Sequence, residues 1–386
     1  MSFYGYKREN GWVGTRNTVG IISLGSCTND PAMNIAKMLE GHVTYFGQDT
    51  ACQNGPEDEK IYYRTMINIG KNPNIGAVLL VGPNCGCIDS EKIKDSIAEV
   101  GKRVESISIH DREGIIGCIA KGMKIAQEMV SDISKVRAEL FDDSYIRLGL
   151  TCGGSTPLSG VITNAVMGKA LDMLIANGGC GGFCETPEII GAEHILAATA
   201  INDQVKEKLL NTVKGFRKRF KDAGVDLVEG NPSKQNINDG ISSLEEKAIG
   251  AISKAGSTPL MEVVEYGERP EGKGLFFVDS PGNDLACMLS LLAAGCNVIS
   301  YSTESCCPYG VPFVPVIKVT ANEEHFYKYT DILDYYFDTD IAIKDIKEAG
   351  EAFYNKILSV ASGEKTKGEI LGYFHTNRIF TVNPLA

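Results

Sequence analysis

The segment Thr18-Val19-Gly20-Ile21-Ile22-Ser23-Leu24 leads into Gly25-Ser26-Cys27-Thr28-Asn29 and then Asp30-Pro31, and its reading decides the fold. The first seven residues form an uncharged, largely apolar run of strand length. The next five are small and polar, as in a loop. Asp30 and Pro31 are start signals for a helical window that reaches Leu39. The same succession recurs along the chain. Val43–Phe46, Ala77–Val81 and Val104–Ile109 read as strands, and Glu57–Ile69, Asp89–Val100 and Glu113–Val136 as helices. Beyond the polar stretch Lys135–Ser144, strands are expected at Ile146–Leu150, Gly179–Phe183, Gly274–Asp279, Asn297–Ser302 and Val314–Val319. Helices are expected there at Val161–Ala176, Glu188–Ala200, Asp203–Ala223, Asp284–Ala294 and Ile341–Ser362. Strands alternating with helices imply right-handed crossovers and mostly parallel sheets. The expectation is an α/β protein of two Rossmann-like units. Residues 1–140 carry cysteine loops and 141–386 carry substrate-binding loops, with the site at strand C-terminal ends between them.

The unusual residues fall where such a fold builds its crevice. Asp49-Thr50-Ala51-Cys52-Gln53 follows the second strand and Gly82-Pro83-Asn84-Cys85-Gly86-Cys87 the third. In the second unit, Thr151-Cys152-Gly153-Gly154-Ser155, Cys184-Glu185-Thr186-Pro187-Glu188, Ser280-Pro281-Gly282-Asn283-Asp284 and Glu304-Ser305-Cys306-Cys307-Pro308 each follow a strand. Open α/β sheets bind ligands outside the carboxyl ends of their strands, so this distribution points to a site-bearing enzyme.

Composition narrows the chemistry. The 386 residues carry a net charge of −11, which argues against nucleic acid or an anionic membrane surface as partner. The N-terminal twenty residues hold no apolar leader core, and the longest apolar runs are of strand length. Cytoplasm is the default location, where thiols stay reduced and twelve cysteines point to metal binding or catalysis rather than disulfides. Cys118, Cys287 and Cys296 lie in helix or strand windows and read as core. Cys27, Cys52 and Cys85 sit in three separate loops with little around them to pack against, and are the preferred metal ligands. Three thiolates would leave one coordination position open, as a catalytic metal or a site-differentiated iron–sulfur cluster requires. Cys85-Gly86-Cys87 and Cys306-Cys307 lack the spacing of a ribbon-type zinc site. Cys152, Cys180 and Cys184 either complete a second cluster or lie idle at the crevice wall. Histidine is scarce, with five residues and no pair four apart. His194 reads either as a solvated helix residue or as a site residue behind the Glu185 loop. No segment matches GxGxxG or a P-loop. Arg16 and Lys318 are read as carboxylate clamps or as ion pairs.

Several of these segments resemble a known family. Gly5-Tyr6-Lys7-Arg8-Glu9-Asn10-Gly11-Trp12-Val13-Gly14-Thr15-Arg16-Asn17 is similar to the opening of the catalytic region of altronate/galactarate dehydratases. Cys152-Gly153-Gly154-Ser155 with Ser159-Gly160 and Asn164, Glu185-Thr186-Pro187-Glu188 with Gly191-Ala192-Glu193, and Asn231-Pro232-Ser233 continue the resemblance. Leu244-Glu245-Glu246-Lys247, Pro281-Gly282-Asn283-Asp284 and Pro312 to Lys318 follow in the same order. The resemblance covers residues 4 to 325 and implies a metal-dependent lyase that dehydrates a sugar acid to a 2-keto-3-deoxy acid. Iron is the usual metal, and a related branch eliminates sulfite from sulfolactate. Catalytic regions of this kind work with a small SAF-type domain, fused or separate. None precedes Tyr4 here, so a small partner subunit is expected, within an oligomer.

The sequence also departs from the family. A histidine expected shortly before Cys52 is missing from Gly47-Gln48-Asp49-Thr50-Ala51, and a Thr-Pro-Phe-Gly-like segment becomes Cys306-Cys307-Pro308-Tyr309-Gly310. The C-terminal segment, ending in Gly372-Tyr373-Phe374-His375, diverges as well. The resulting assignment places iron, as Fe2+ or a [4Fe–4S] cluster with one open position, on Cys27, Cys52 and Cys85. Arg16, Asn17, Asn29, Asn164, Asn283, Asp284 and Lys318 bind a small anionic hydroxy acid. Ser155, Glu185 and His194 are the catalytic candidates, one of them the base. The alternatives are sulfite elimination and a non-catalytic iron–sulfur or substrate-binding subunit.

Overall fold

The computed structural model describes residues 1–49, 55–111, 113–374 and 377–382. Its strands are β1 (Ser2–Lys7), β2 (Val13–Gly14), β3 (Thr18–Ser23), β4 (Val43–Phe46), β5 (Ile75–Gly82), β6 (Arg103–Ser108) and β7 (Glu139–Asp142). They continue with β8 (Arg147–Gly153), β9 (Cys180–Phe183), β10 (Leu260–Val264), β11 (Gly274–Val278), β12 (Val298–Thr303), β13 (Val316–Thr320) and β14 (Tyr335–Tyr336). A four-stranded sheet in the order β4-β3-β5-β6 and a seven-stranded sheet in the order β10-β11-β9-β8-β12-β13-β14 are both parallel throughout. The α/β class with mostly parallel sheets is thus the observed one. A small antiparallel sheet, β2-β1-β7, ties the N-terminus to the strand just before β8.

Each parallel sheet reverses its direction of winding once. In the small sheet β4 lies on one side of β3 and β5 on the other, so the switch point is between the ends of β3 and β5. In the large sheet β9 lies on one side of β8 and β12 on the other, so the switch point is between β8 and β12. At such points the flanking loops diverge and leave a crevice.

The two sheets share a hydrophobic core. Ile22, Leu24, Phe46, Met66, Ile69 and Leu80 from the first half pack in one cluster with Phe276, Leu289, Leu292, Ile299 and Tyr301 from the second. Its centre is the helix Asp284–Ala293, in which Ala286 to Ala293 are all buried. Asn283 caps its start, its Oδ1 accepting from the Ala286 N–H at 3.2 Å. Gly295 turns the chain out with φ 84°, a left-handed conformation that glycine adopts without penalty. A helix apolar on every side is stable only where protein covers every side. Removing each leucine side chain from water contributes about 1.5–3 kcal/mol. Buried amides pin the same interface. The Asn72 Nδ2 donates to Leu292 O at 3.0 Å and Cys296 O at 2.9 Å, and the Asn74 Nδ2 to Asn297 O at 3.1 Å and Phe313 O at 2.9 Å.

Two helical expectations change. The window Ile341–Ser362 is two helices, Thr339–Lys344 and Ile346–Ala361. Asp345 takes an extended backbone between them, and its carboxylate accepts from Lys347 N at 2.9 Å and Glu348 N at 3.2 Å, starting a second helix instead of continuing the first. The window Glu188–Ala200 shortens to Glu193–Ala198, preceded by a single turn over Thr186–Ile189.

Candidate active site

The end of β8 carries a dense cluster of buried polar side chains. Thr151 and Cys152 lie just before the last residue of that strand, Gly153, and Glu185 follows β9 with a left-handed backbone, φ 81° and ψ 69°. That conformation is uncommon for a side-chain-bearing residue, and here it turns the carboxylate inward. Glu185 Oε1 accepts from the Thr151 hydroxyl at 2.8 Å and from the Cys152 N–H at 3.3 Å, while Ser280 Oγ accepts from the Glu185 N–H at 2.8 Å. The counter-charge is Lys254, whose Nζ lies 2.7 Å from Glu185 Oε2 and 3.0 Å from Cys152 Sγ. Both members of this ion pair are sealed from solvent, with side-chain exposures of 1% and 2%. Burial opposes the Lys254 charge, but its interactions with Cys152 and Glu185, a hydrogen bond to each among them, outweigh it and hold the ammonium above its ordinary range. The Cys152 thiol is pushed up to about 12, by burial first and then by the Glu185 charge, so at neutral pH it is protonated.

A second buried pair stands beside the first. Lys247 Nζ lies 3.2 Å from Glu188 Oε1 and donates to Asn231 Oδ1 at 2.7 Å. Burial raises the Glu188 carboxyl above the ordinary range, with Lys247 opposing it. Glu188 Oε2 is buried without a hydrogen-bond partner. Asp284, at the head of the shared helix, accepts from the Tyr301 hydroxyl at 2.8 Å. Burial and then the Glu185 charge push its pKa up to about 6, against the Tyr301 hydrogen bond. Gly153 is required between them. A Cβ there would stand 2.5 Å from the Tyr301 hydroxyl and 2.9 Å and 3.0 Å from the two Asp284 oxygens.

A cavity of about 470 Å³ adjoins this cluster, and Ser155, Asn164, Glu246 and Lys247 contribute polar groups to its wall. The Asn164 Nδ2 donates to Gly250 O at 2.9 Å, and its Oδ1 is buried with no partner. Across the switch point, Glu304 accepts from the Thr320 hydroxyl at 2.8 Å and the Thr163 hydroxyl at 3.4 Å, with His325 Nδ1 4.0 Å away. Carboxylates of raised pKa, fixed ammonium groups and a cavity together suit proton transfer on a small anionic substrate.

Residues 144–383 match the family model of D-galactarate/altronate dehydratase, C-terminal, and residues 5–134 match that of D-galactarate dehydratase/altronate hydrolase, second domain. The chain belongs to the galactarate/altronate dehydratase family. It is 31% identical to altronate dehydratase of Bacillus subtilis strain 168 over 383 residues, spanning 95% of this chain and 75% of that protein. It is 30% identical to galactarate dehydratase (L-threo-forming) of Escherichia coli K12 over 384 residues, spanning 94% and 73%. With (2R)-sulfolactate sulfo-lyase subunit beta of Chromohalobacter salexigens it shares 33% identity over 380 residues, spanning 96% and 95%.

In this galactarate/altronate dehydratase family member, the residues singled out from sequence divide by location. Glu185 and Asp284 meet the end of β8 at Cys152 and Gly153, and Ser155 and Asn164 line the neighbouring cavity. Asn283 is exposed beside them, its side-chain oxygen spent as the helix cap. His194 is exposed on the helix Glu193–Ala198, and among the described residues no hydrogen bond or ion pair reaches it. The structure therefore does not place His194 with Glu185 and Ser155. Arg16 and Asn17 precede β3 and lie at the opposite end of the sheet from the crevice. All five N–H groups of Arg16 are engaged within the chain, by Glu369 at 2.6 Å and 2.9 Å, Thr15 O, Val360 O and Glu364 O. Asn17 is held by Arg8 and by Ile133 O. Neither is a substrate clamp here. Arg16 fastens the C-terminal segment to the first sheet instead. Replacing Arg16 with methionine should lower stability by about 2 kcal/mol, the scale of a charge-assisted hydrogen bond lost from a partly buried site. KM should not change, and urea unfolding alongside steady-state kinetics checks both.

Asn29 closes a mutual pair of hydrogen bonds with the Gln48 backbone, at 2.9 Å and 3.2 Å, which occupies both ends of its amide. Lys318 is fully buried in β13, its Nζ has no hydrogen-bond partner, and a Cβ at Gly368 would stand 2.9 Å from that Nζ. Helix Lys367–Leu371 therefore covers it, and burial lowers its pKa against the pull of Asp334 and Glu369. Lys318 is not open to a substrate carboxylate in this conformation.

Cys27 and Cys85 are exposed in the loops that leave β3 and β5, at the small-sheet switch point. Cys52 lies outside the described residues. Among the described residues no three His, Cys, Asp or Glu side chains converge on a metal-sized volume. Of the three thiolates expected to hold iron, Cys27 and Cys85 are the two within the described residues. Lys254, Lys247 and Tyr301 escaped notice in the sequence. Lys247 stood inside a family-like motif, whereas Lys254, in Ile252-Ser253-Lys254-Ala255-Gly256, offered no signal beyond a charge between apolar neighbours.

Proposed function

We propose that the chain is a hydro-lyase that removes water from a small polyhydroxylated carboxylic acid, altronate- or galactarate-like, to give a 2-keto-3-deoxy acid. The observation that carries this reading is the pairing of two buried lysine–carboxylate couples, Glu185–Lys254 and Glu188–Lys247, at a switch point beside a 470 Å³ cavity. Family membership supports it, because relatives at 30–32% identity bear the names altronate dehydratase and galactarate dehydratase.

Such an elimination takes a weakly acidic proton from the carbon beside the carboxylate and returns a proton to the departing hydroxyl. Lys247, on the cavity wall, attracts the substrate carboxylate, and the unpartnered Asn164 Oδ1 accepts from a substrate hydroxyl. Asp284 takes the carbon-bound proton, Tyr301 orienting it by the 2.8 Å hydrogen bond. Glu188, with its raised pKa and unpartnered Oε2, delivers a proton to the leaving hydroxyl. Water leaves, and the enol that remains tautomerises to the 2-keto acid. Incubation with D-altronate and D-galactarate, followed by detection of the 2-oxo acid product, tests the reading. No oxo acid from either substrate, with the purified chain folded and supplied with Fe2+, counts against it.

A second reading has its own observation. The sulfo-lyase subunit beta is matched over 95% of its length, against 73–75% for the dehydratases. If the chain shares that chemistry, sulfolactate releases sulfite and the altronate assay is silent. That relative is a subunit beta, which also supports a partner subunit for this chain. Iron held by Cys27, Cys52 and Cys85 is a separate proposal. Substituting Cys85→Ser should remove bound iron and turnover together, as measured by metal analysis of anaerobically purified protein. Full iron content in the variant would sink that assignment.

A further inference from the structure

The pole of the molecule opposite the crevices carries a concentration of positive charge that the proposed reaction does not use. A cavity of about 230 Å³ lies there, at the N-terminal ends of the small-sheet strands. Five cations, Lys7, Arg8, Lys71, Lys102 and Arg103, line it, with two carboxylates, Glu9 and Asp132. Asp132 is already taken by Arg103 at 2.6 Å and Lys135 at 2.9 Å, and Lys71 pairs with Glu99 at 3.0 Å. Arg8 and Lys102 are different. Among the described residues neither forms an ion pair. Lys102 is buried, and its Nζ donates to Gly70 O at 2.7 Å and Asn72 O at 2.8 Å, leaving one N–H. Arg8 donates to Pro73 O, Asn17 Oδ1 and Arg16 O, leaving two of its five N–H groups.

Further positive charge stands behind the same wall. The Arg269 guanidinium stacks on Trp12, another lining residue, with its carbon 3.4 Å from the ring centroid. Its buried NH1 has no hydrogen-bond partner, and no described carboxylate pairs with it. In a chain of net charge −11, such uncompensated cations at a cavity are electrostatically costly unless an anion joins them. Burial first, and then the neighbouring Arg8 and Arg269 charges, hold Lys102 well below the ordinary lysine range. The volume holds about eight waters at ~30 Å³ each, too small for a nucleotide and ample for a phosphate or a short polycarboxylate.

We infer that the cavity between Arg8, Lys102 and Trp12 is a binding site for a compact multivalent oxyanion, separate from the active site. The remaining N–H groups of Arg8 and Lys102 donate to the anion oxygens, and Lys7 at the rim adds attraction. The site lies at the far ends of strands whose other ends carry the cysteine loops, outside the catalytic crevice.

Trp12 is the single tryptophan of the chain and therefore reports from this wall alone. The full chain is titrated with inorganic phosphate, and separately with citrate, at constant ionic strength set by chloride, following tryptophan emission and the unfolding temperature. The expected result is a saturable emission change and a rise in unfolding temperature with at least one of the two anions. Whichever binds more tightly identifies the phosphate or polycarboxylate source. Affinity should fall about tenfold in Lys102→Met, the scale of one charge-assisted hydrogen bond. It should fall severalfold in Lys7→Glu, an exposed change that leaves folding intact and carries the test if the first variant does not fold. Responses that chloride reproduces, that never saturate with either anion, or that survive both substitutions unchanged overturn the site.

Discussion

Replacing Lys254 with methionine should destabilise the protein by about 3–5 kcal/mol, because it leaves the Glu185 charge buried and unpaired. Glu185 keeps its hydrogen bonds from Thr151 and Cys152, but these do not neutralise a carboxylate only 2% exposed. Domains of ordinary stability have about 5–15 kcal/mol to lose, so the variant should sit close to its unfolding transition at room temperature. Urea denaturation at reduced temperature measures the loss. The decisive comparison is Lys254→Met with Glu185→Leu in the same chain, which removes both charges and should recover most of the lost stability. If the single variant falls short by less than about 1 kcal/mol, the pair is not the buried, mutually dependent unit its geometry describes. Turnover should not return with stability, because the double variant lacks the Glu185 charge that helps to raise the Asp284 pKa.

Asp284→Asn should reduce kcat/KM by about 10²–10⁴-fold, the range for loss of a positioned general base. The pH dependence gives the sharper readout. Asp284 must be ionised to accept a proton, so the wild-type rate should climb through about pH 6 and level off above it. The residual rate of the variant should lack that limb. Stability should move the other way. A carboxyl whose pKa is raised by folding opposes the folded state once it ionises. Its unfavourable contribution is absent below the ordinary carboxylate range and complete above about pH 6. At neutral pH the asparagine variant should therefore be as stable as the wild type or more so. A variant both unstable and slow would mark Asp284 as a structural residue whose loss disturbs the site indirectly.

Much of this was visible in the residues themselves. Val43–Phe46 emerges as a strand with the expected bounds, because four β-forming residues between Gly and turn-forming neighbours allow little else. Loops such as Cys152-Gly153-Gly154-Ser155 and Cys184-Glu185 could be placed at strand ends because each follows an apolar run. Partners could not be read. Lys254 meets Glu185 only because the β8, β9 and helix-end positions converge, a matter of tertiary packing that no local pattern encodes. β1 and β7 escaped because neither carries an apolar run: β1, the middle strand of its sheet, mixes exposed and buried residues, and β7 is a solvated edge. Arg16 illustrates the opposite error. An arginine in a Gly-rich motif invites a ligand, yet Glu369, some 350 residues later, supplies its carboxylate. Lys318 falls between these cases: the buried β13 strand is legible, but the helix that covers it belongs to the divergent C-terminal segment.

The helix Asp284–Ala293 also limits how the enzyme can move. Many two-unit α/β enzymes open and shut by swinging one lobe away from the other, with a thin, wet seam that parts at little cost. Here the seam is a core, and the residue proposed to handle the proton is mounted on the helix at its centre. Any swing would strip apolar surface from Leu289, Leu291 and Leu292 and break the Asn72 amide contacts. Substrate must therefore reach Asp284 by rearrangement of the loops at the strand ends, over a chassis that stays rigid through turnover. Cut between residues 140 and 141, each fragment would expose its share of that core, and separate expression should yield aggregates instead of two soluble lobes.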